Sequence, residues 1–258
     1  MGVSMETAKL WVDRWERQQE HYAIAREERF TVIADVVEHV VAHQDRPLVL
    51  DLGCGPGSLA SRLAERLPDA EIVAVDMDPV LLELGRTQHA DAARYVDAVI
   101  GGSGWTDTLG LDRPLDAVVS TTALHYLSQR TLLRTYRRLE SLLRPGGTLI
   151  NGDHFPPDPP DDRRCSELTA HVGRRRAERS RTHDHETWDA WWGAAAQDPE
   201  LADLFAQREQ RQAALAGHGI DNDLTLAHHS DLLAQAGFSH ITPVWQFGDS
   251  HVLVALKD

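Results

Sequence analysis

The stretch from residue 48 to residue 57 constrains the fold more than any other part of the chain. A five-residue run, Leu48–Leu52, is apolar apart from Asp51 and leads directly into glycines at positions 53, 55 and 57. An apolar run of this length is typical of a buried strand. The glycines allow the backbone to turn tightly into the next segment, where the composition of residues 58–67 predicts a helix. A strand, a tight glycine turn and a helix are typical of the first unit of an α/β fold.

The same pattern recurs along the next hundred residues. Further short apolar runs predict strands at residues 71–76, 94–96, 115–120 and 148–151, and helices are predicted at 79–89 and 128–143. After residue 229 the sequence predicts a helix and two strands joined by the hairpin signal Gly248-Asp249, at 230–236, 240–246 and 252–256. Strands that alternate with helices predict a doubly wound, Rossmann-like α/β sheet, and ligands of such sheets bind beyond the carboxyl ends of the strands.

Two segments do not follow this alternation. Residues 1–45 are predicted to form two helices, and residues 155–229 begin with a proline-rich connector and continue with polar helices. We interpret the chain as a single domain built from three parts. These are an N-terminal helical lid (1–45), a core that binds the ligand (46–154 and 230–258) and a helical cap inserted between the two core segments (155–229).

The charge balance and the cysteine content limit the partners of the chain. Forty acidic residues against 26 basic ones give a formal net charge of -14, which repels the phosphate backbone of nucleic acids. Only two cysteines are present, too few for a disulfide framework. No stretch approaches the roughly 20 apolar residues that a membrane helix needs. We therefore expect a cytoplasmic protein without a nucleic-acid or membrane partner, and its oligomeric state stays open.

The glycine loop and two acidic residues indicate which ligand the sheet binds. Asp76 ends the second strand about 20 residues after the loop, where a carboxylate accepts hydrogen bonds from a ribose. All three glycines lie in the loop, whereas the dinucleotide fingerprint places its last glycine inside the helix. Asp51 suits a ligand with an ammonium group and is awkward beside a pyrophosphate. These features favour S-adenosylmethionine over NAD as the cofactor.

On these residues the sequence resembles the class I S-adenosylmethionine-dependent methyltransferases. The resemblance covers roughly residues 30–154, and the predicted helix and hairpin at 230–257 fit as well. Its motifs are Leu50–Gly57, Val75–Asp78, Asp116–Ser120 with Leu124–Tyr126, and Leu143–Gly147. The resemblance implies a seven-stranded sheet with the order 3-2-1-4-5-7-6, in which the last strand is antiparallel, and it implies methyl transfer as the reaction.

The resemblance also implies roles for individual residues. The glycine loop would hold the amino-acid end of the cofactor, Asp76 would bind both ribose hydroxyls, and Met77 would pack on the adenine. Asp97 and Ala98 would lie at the adenine edge. The predicted cofactor-binding residues are therefore Asp51, Gly53, Cys54, Gly55, Gly57, Asp76, Met77, Asp97, Ala98, Thr121 and Tyr22.

The residues after the fourth and fifth strands are the candidates for catalysis. Methyl transfer mainly requires proximity and alignment, and a base is needed only when the acceptor atom carries a proton. His125 is the first candidate for that base, although it could instead cap the next helix. Asp153 and His154 could orient the acceptor or hold His125, or they could satisfy the local backbone. The segment 120–126 lacks the Asn/Asp-Pro-Pro-Tyr/Phe motif, which points to a small-molecule acceptor and not to a nucleic-acid base or a protein amide.

Aromatic residues in the lid and the cap allow two interpretations. Trp11, Trp15, Gln18 and Tyr22 share one helical stripe, which could pack on the sheet or cover the cofactor. Trp188, Trp191 and Trp192 in the cap could likewise form core or an apolar acceptor pocket. We predict that Trp11, Trp15, Gln18, Trp188 and Trp192 contact the acceptor.

Other functions stay possible at this point. Six residues are potential metal ligands, but they lack the spacing of a metal motif, so we expect solvated histidines and no metal. These residues are His183, Asp184, His185, Glu186, His228 and His229. The same cofactor could undergo elimination or cyclisation, and a cofactor-binding protein without activity is a third possibility. An NAD-dependent oxidoreductase is disfavoured by Asp51 and the loop spacing.

Overall fold

The computed structural model describes residues 2–23, 25–157, 163–179, 186–215 and 222–258. Its strands are β1 (Leu48–Leu52), β2 (Glu71–Asp76), β3 (Arg94–Asp97), β4 (Leu115–Thr121), β5 (Leu143–His154), β6 (His240–Phe247) and β7 (Ser250–Leu256). Its helices are α1 (Met5–Tyr22), α2 (Arg26–Val41), α3 (Ser58–Arg66), α4 (Pro79–Gln88), α5 (Gln129–Leu142), α6 (Arg163–Arg179), α7 (Trp188–Ala195), α8 (Ala202–Leu215) and α9 (Leu226–Ala236). Short 3-10 helices occur at Trp105–Leu109 and Leu124–Tyr126.

The strands form one seven-stranded sheet with the order β3-β2-β1-β4-β5-β7-β6. β1 to β5 pair in parallel, and β7 is antiparallel to both β5 and β6. This confirms the predicted strand order and the antiparallel strand. The carboxyl ends of β1, β4 and β5 meet at one edge, because Leu52 pairs with Ser120, and Ser120 pairs with Asn151.

Helices cover both faces of the sheet, so the central strands are buried on both sides. All five residues of β1 are buried. Leu48, Leu50 and Leu52 pack into the cluster that includes residues of α5 and α9. Val49 faces the opposite cluster, which includes residues of α2 and α3. The continuous apolar run therefore reflects a strand with no solvent-exposed face.

A third apolar cluster lies outside the sheet and joins α1 to α4 and α7. Trp11 and Trp15 of α1 pack with Trp191 of α7 and with Val80 and Leu84 of α4. The ring of Trp191 meets those of Trp11 and Trp15 edge-on, at centroid distances of 5.6 Å and 5.1 Å. The first helix and the inserted segment are therefore packed together against α4.

Two elements begin earlier than the sequence pattern predicts. α9 starts at Leu226 instead of Ser230, because Thr225 and His228 form a reciprocal capping box at its first turn. β5 starts at Leu143, and its register against β4 shifts between Leu115 and Ala117 to accommodate the extra residues. Among the described helices, none combines the length and the apolar character that a membrane span requires.

Candidate active site

The glycine loop is a tight turn that only glycine accommodates without strain. Gly53, Gly55 and Gly57 all have positive φ angles of 68°, 54° and 85°. The amides of Gly53 and Cys54 donate to the carbonyl of Val75 at 2.8 Å and 3.1 Å. These bonds tie the loop to the end of β2.

Gly53 also brings the loop against the segment that follows β4. A Cβ atom at Gly53 would lie 2.2 Å from the Cβ of Ala123, far inside van der Waals contact. Ala123 lies two residues before His125. The loop that begins at β1 and the segment after β4 therefore lie side by side at the carboxyl edge of the sheet.

Asp76 organises the start of the neighbouring loop. One carboxylate oxygen accepts from the amide of Gly55 at 2.8 Å. The other accepts from the amides of Met77 and Asp78 at 2.7 Å and 2.9 Å. Burial raises the pKa of Asp76, and the three amide donors act in the opposite direction. The predicted ribose ligand thus also holds the two loops together.

Asp51 is a buried carboxylate with little compensation from the described residues around it. It is fully buried, and neither oxygen has a hydrogen bond of ordinary geometry to any residue that the structure describes. Burial and the nearby charge of Asp76 raise its pKa to about 7, and the backbone amide of Ala60 offsets only part of this rise. A buried carboxylate without a partner is costly, so the position fits a cationic ligand group. The ammonium group of S-adenosylmethionine is such a group.

Cys54 and Gly57 complete the loop without offering reactive groups. Burial raises the pKa of the Cys54 thiol well above its usual value, so the thiol stays protonated. Its Sγ lies 3.4 Å from the carbonyl of Gly55. A Cβ at Gly57 would lie 2.2 Å from the hydroxyl of Tyr95. Both residues therefore shape the loop through packing.

The predicted adenine edge is covered by α8. Arg211 donates to both carboxylate oxygens of Asp97, at 2.6 Å and 2.8 Å, and also to the carbonyl of Met77. One turn earlier, Arg208 donates to Asp78 at 2.6 Å. Ala98, the other residue predicted here, is buried. The two arginines were not predicted, because nothing in the local pattern of α8 indicates which strand ends it reaches.

His125 and Asp153 are brought together at the ends of β4 and β5. Nδ1 of His125 lies 2.8 Å from an oxygen of Asp153, which also accepts from the amide of His154 at 2.9 Å. Asp153 is buried, and burial by itself would raise its pKa. The hydrogen bond and charge of His125, with the contribution of His154, hold the pKa of Asp153 below its ordinary value. The carboxylate therefore stays ionised and orients the imidazole.

His154 forms a second, looser pair with an acidic residue. Its Nδ1 lies 3.4 Å from an oxygen of Asp249, in the turn between β6 and β7. Although burial acts to raise the pKa of Asp249, the neighbouring His154 lowers it below its ordinary value. Asp249 belongs to the predicted hairpin signal, but its contact with His154 was not predicted.

Further polar atoms at this edge are buried without a partner. The hydroxyl of Thr121, both amide atoms of Asn151 and Nε2 of Gln18 have no hydrogen-bond partner among the described residues. Gln18 is fully buried, with its oxygen accepting from Gln19 at 2.8 Å. Asn151 was not predicted to be a site residue, since the sequence pattern indicates only that it belongs to a strand. These groups, from α1, β4 and β5, are available to a polar ligand.

The predicted aromatic residues lie where α1 and α7 pack together. Trp11 donates from Nε1 to Asp198 at 2.7 Å, and Trp15 approaches the glycine loop, 3.7 Å from the position of a Cβ on Gly55. Trp188 and Trp192 pack around Trp15, at ring centroid distances of 5.3 Å and 6.2 Å. Tyr22 is 44% exposed, and its hydroxyl accepts a hydrogen bond from the amide of Trp188 at 3.1 Å.

The potential metal ligands are only partly within the described chain. Residues 183–185 lie outside it. Within the described ranges, no three His, Cys, Asp or Glu side chains are placed to share a metal ion. His228 belongs to the capping box of α9, and Nδ1 of His229 lies 2.8 Å from the hydroxyl of Tyr136. Glu186 pairs with Arg14 of α1.

Residues 49–147 match a family model described as a methyltransferase domain. A trans-aconitate 2-methyltransferase of Methylobacterium radiotolerans is 34% identical over 128 residues, which are 50% of this chain and 45% of that protein. An uncharacterised methyltransferase of Mycobacterium tuberculosis is 42% identical over 106 residues, 39% of this chain and 47% of that protein. The chain thus spans about half the length of these curated relatives.

Solved structures agree on the fold. Human N-acetylserotonin methyltransferase in complex with S-adenosylmethionine superposes with a TM-score of 0.53 at 16% identity, covering 95% of this chain and 56% of that one. At this identity the likeness concerns the fold alone. The sheet of this chain, with its order β3-β2-β1-β4-β5-β7-β6, thus has the same architecture as the sheet of that structure.

Proposed function

We propose that this chain, which contains a class I S-adenosylmethionine-dependent methyltransferase domain, transfers the methyl group of that cofactor to an oxygen atom of a small-molecule acceptor. The contact between Gly53 and Ala123 carries the proposal. Because of it, the loop suited to the cofactor's amino-acid end lies beside the segment that bears His125 and its partner Asp153. A methyl donor and a base that face the same space are what such a transfer requires.

The cofactor would be held by two acidic residues and by the glycine loop. Asp51 would receive its ammonium group, Asp76 its ribose hydroxyls, and the glycine loop would approach its amino-acid end. Met77 and Ala98 would flank the adenine. Arg211 already donates to both carboxylate oxygens of Asp97, so Asp97 would have to accept from the adenine amine and from Arg211 at the same time.

When bound, S-adenosylmethionine supplies a methyl group already activated by a sulfonium. The chain's own contribution is alignment, which can lower the barrier by about 7–11 kcal/mol, and removal of a proton. Asp153 would fix the ring through Nδ1 of His125, and Nε2 would take the proton of an acceptor hydroxyl. Thr121, Asn151 and Gln18 would orient the acceptor or the cofactor through their unpartnered atoms.

The lid and the cap would exclude water from this space. Trp11, Trp15, Trp188 and Trp192 form one aromatic group with Trp191, and Trp15 of this group approaches the glycine loop. We propose that the inner face of this group contacts the acceptor. The division into a lid at 1–45, a core at 46–154 and 230–258, and a cap at 155–229 is part of the proposal. A cytoplasmic location and the absence of a nucleic-acid partner also belong to it.

A carboxylate acceptor is the second candidate. It is favoured by the trans-aconitate 2-methyltransferases among the relatives, whose name specifies a carboxylic acid. A carboxylate is already deprotonated at neutral pH, so transfer to it needs no base. In that case His125 would act as a hydrogen-bond donor to the acceptor and not as a base.

The first experiment is calorimetric titration with S-adenosylmethionine, S-adenosylhomocysteine and NADH. Micromolar binding of both sulfur compounds without binding of NADH is expected. A transfer assay with labelled S-adenosylmethionine would then compare phenolic hydroxyl acceptors with trans-aconitate. Loss of label from the cofactor without any acceptor would instead indicate elimination or cyclisation, and binding without turnover would indicate a protein without this activity.

A further inference from the structure

The second half of α8, residues 206–213, lies against the proposed cofactor site without a buried apolar side chain to hold it there. Of these residues, all but Arg208 and Arg211 are exposed to solvent. The first half differs, because Leu204 and Phe205 pack against the apolar cluster of α1, α4 and α7. Helices on a protein surface are ordinarily held by a buried apolar face. In the second half of α8, two arginines replace that face.

Arg211 connects two residues that we assign to the adenine end of the cofactor. One of its terminal nitrogens, Nη1, donates to the carbonyl of Met77 and to an oxygen of Asp97, the latter at 2.6 Å. The other, Nη2, donates to the second oxygen of Asp97 at 2.8 Å. Two parallel donors on one carboxylate fix the orientation of the guanidinium. In the proposed cofactor site, α8 therefore closes the adenine end.

Arg208 ties the same half of α8 to a fixed residue and to the aromatic group. Its Nε donates to one oxygen of Asp78 at 2.6 Å. The other oxygen of Asp78 caps α4, because it accepts from the amides of Val80 and Leu81. The guanidinium of Arg208 also lies over the ring of Trp192, 3.8 Å from its centroid, and this contact adds to the ion pair. Arg208 thus connects α8 to both ends of the proposed site.

These ion pairs are of a kind that can separate. The side chains of Arg211 and Asp97 are 28% and 41% exposed, and those of Arg208 and Asp78 are 20% and 14% exposed. Ion pairs that reach solvent are screened by salt and contribute little net free energy. Regions with few buried apolar contacts open at a lower free energy than the core. The second half of α8 can therefore move away while the sheet and the aromatic group stay folded.

We propose that the second half of α8 is a latch on the cofactor site, and that S-adenosylmethionine enters and S-adenosylhomocysteine leaves when the pairs Arg211–Asp97 and Arg208–Asp78 separate. The inference rests on the proposed function for the identity of the cofactor. A latch differs from an ordinary binding contact in its kinetic effect. Loss of a latch speeds both association and dissociation, whereas loss of a contact mainly speeds dissociation.

The test is a stopped-flow measurement of S-adenosylhomocysteine association and dissociation in the full chain, followed by tryptophan fluorescence. In Arg211→Met we expect both rate constants to rise about tenfold and Kd to change by less than about threefold, because three charge-assisted hydrogen bonds no longer have to break. Arg208→Met should shift both constants in the same direction. Arg175→Met is the matched control, since it removes an exposed ion pair with Glu178 on α6 and should leave both constants unchanged.

The salt dependence of the wild-type protein tests the latch without any substitution. S-adenosylhomocysteine carries no net charge, so salt acts mainly on the protein's own ion pairs. Both rate constants should rise roughly threefold between about 0.05 M and about 0.5 M sodium chloride. The double variant with Arg208→Met and Arg211→Met should lack this dependence. Faster dissociation of Arg211→Met with unchanged association would overturn the proposal, and so would rates that respond neither to the variants nor to salt.

Failure of the proposed function would give a different result. If neither S-adenosylhomocysteine nor S-adenosylmethionine bound in calorimetry, the cofactor assignment would fail and the latch with it. If S-adenosylhomocysteine bound but its rates did not respond, only the latch would fail. None of these measurements needs an acceptor, so they do not depend on which acceptor the enzyme uses. Thermal unfolding identifies the variants that fold.

Discussion

The two halves of the carboxyl edge of the sheet are built in different ways. In the half that we assign to the cofactor, at β1 and β2, Asp76 accepts hydrogen bonds from the amides of Gly55, Met77 and Asp78. These backbone donors hold two short loops together. In the half that we assign to the acceptor, at β4, β5 and β7, contacts form between side chains that are distant in sequence. His125 and Asp153 are 28 residues apart, and Arg29 and Ser250 are 221 residues apart.

This difference has a consequence for what each half can tolerate. Backbone amides are present whatever the side chains are, so the cofactor half depends on two carboxylates and on glycines. The acceptor half depends on the identity of many distant side chains, each held by another. We expect substitutions in the first half to weaken cofactor binding, and substitutions in the second half to slow the reaction while the cofactor still binds.

The largest effect is expected in the acceptor half. His125→Asn should lower kcat by about 10²–10⁴-fold with a hydroxyl acceptor, because the proton is no longer removed by a positioned base. Asp153→Asn should act in the same direction. Stopped assays with labelled cofactor measure the rate, and calorimetry with S-adenosylhomocysteine should give an unchanged Kd. His240→Asn, on an exposed side chain, is the control.

With a carboxylate acceptor the same variants should lower the rate far less. A rate that is independent of pH through the titration of His125 would then identify the second candidate. With a hydroxyl acceptor, kcat/KM should rise with pH as His125 loses its proton and then level off. A large loss of cofactor affinity in His125→Asn would contradict the separation of the two halves.

The next largest effect is expected in the cofactor half. Asp76→Ala should weaken S-adenosylhomocysteine binding by about 100-fold, because three backbone amides lose their acceptor and the ribose loses its ligand. Calorimetry measures the loss, and Asp69→Ala, an exposed residue in the turn before β2, is the control. Retained affinity in Asp76→Ala would refute the assignment of this half to the cofactor.

Asp51→Asn is expected to have a smaller effect. The amide can still accept a hydrogen bond from an ammonium group but provides no charge, so affinity should fall by about tenfold. Since burial and Asp76 raise the pKa of Asp51 to about 7, the wild-type protein should bind the cofactor more weakly as the pH falls below 7. Asp51→Asn should lack this pH dependence. Equal pH dependence in both proteins would contradict the role of Asp51.

The smallest effect concerns the lid and not the reaction. Burial acts to raise the pKa of Glu16, but Arg26, Ser58 and Arg62 together lower it from 4.5 to about 2. The lowered pKa contributes stability that is present above pH 4.5 and lost as the pH falls toward 2. Glu16→Gln should therefore reduce the free energy of unfolding by about 1–3 kcal/mol at pH 7. Chemical denaturation should show this difference shrinking below pH 4.5, and a difference independent of pH would refute it.

The local pattern of the sequence was sufficient to predict the backbone structure around the glycine loop. The apolar run of β1, the three glycines and Asp76 lie within one strand–loop–helix unit and the strand that follows it. Their relation depends on the period of strands and on the φ angles that glycine permits. The sheet order followed from the resemblance to a known family, and the structure confirms it.

The acceptor half was predicted only in part. His125, Asp153 and His154 were singled out because they follow strands, but the 2.8 Å contact between His125 and Asp153 was one of several alternatives. Asn151, Arg29 and Arg211 were missed. An arginine that follows two glutamates on a helix is ordinarily a solvated residue, and no periodicity distinguishes Arg29 from such a residue.

The sequence by itself therefore determined the alternation of strands and helices, the glycine turn and the acidic residues at the ends of β1 and β2. Only the tertiary structure decided which side chains meet across β4, β5, β7 and α2, and that α8 covers Asp97. The reason is physical. Backbone geometry repeats over a few residues and is visible in a local pattern, whereas a buried charge acquires its partners only when distant elements pack around it.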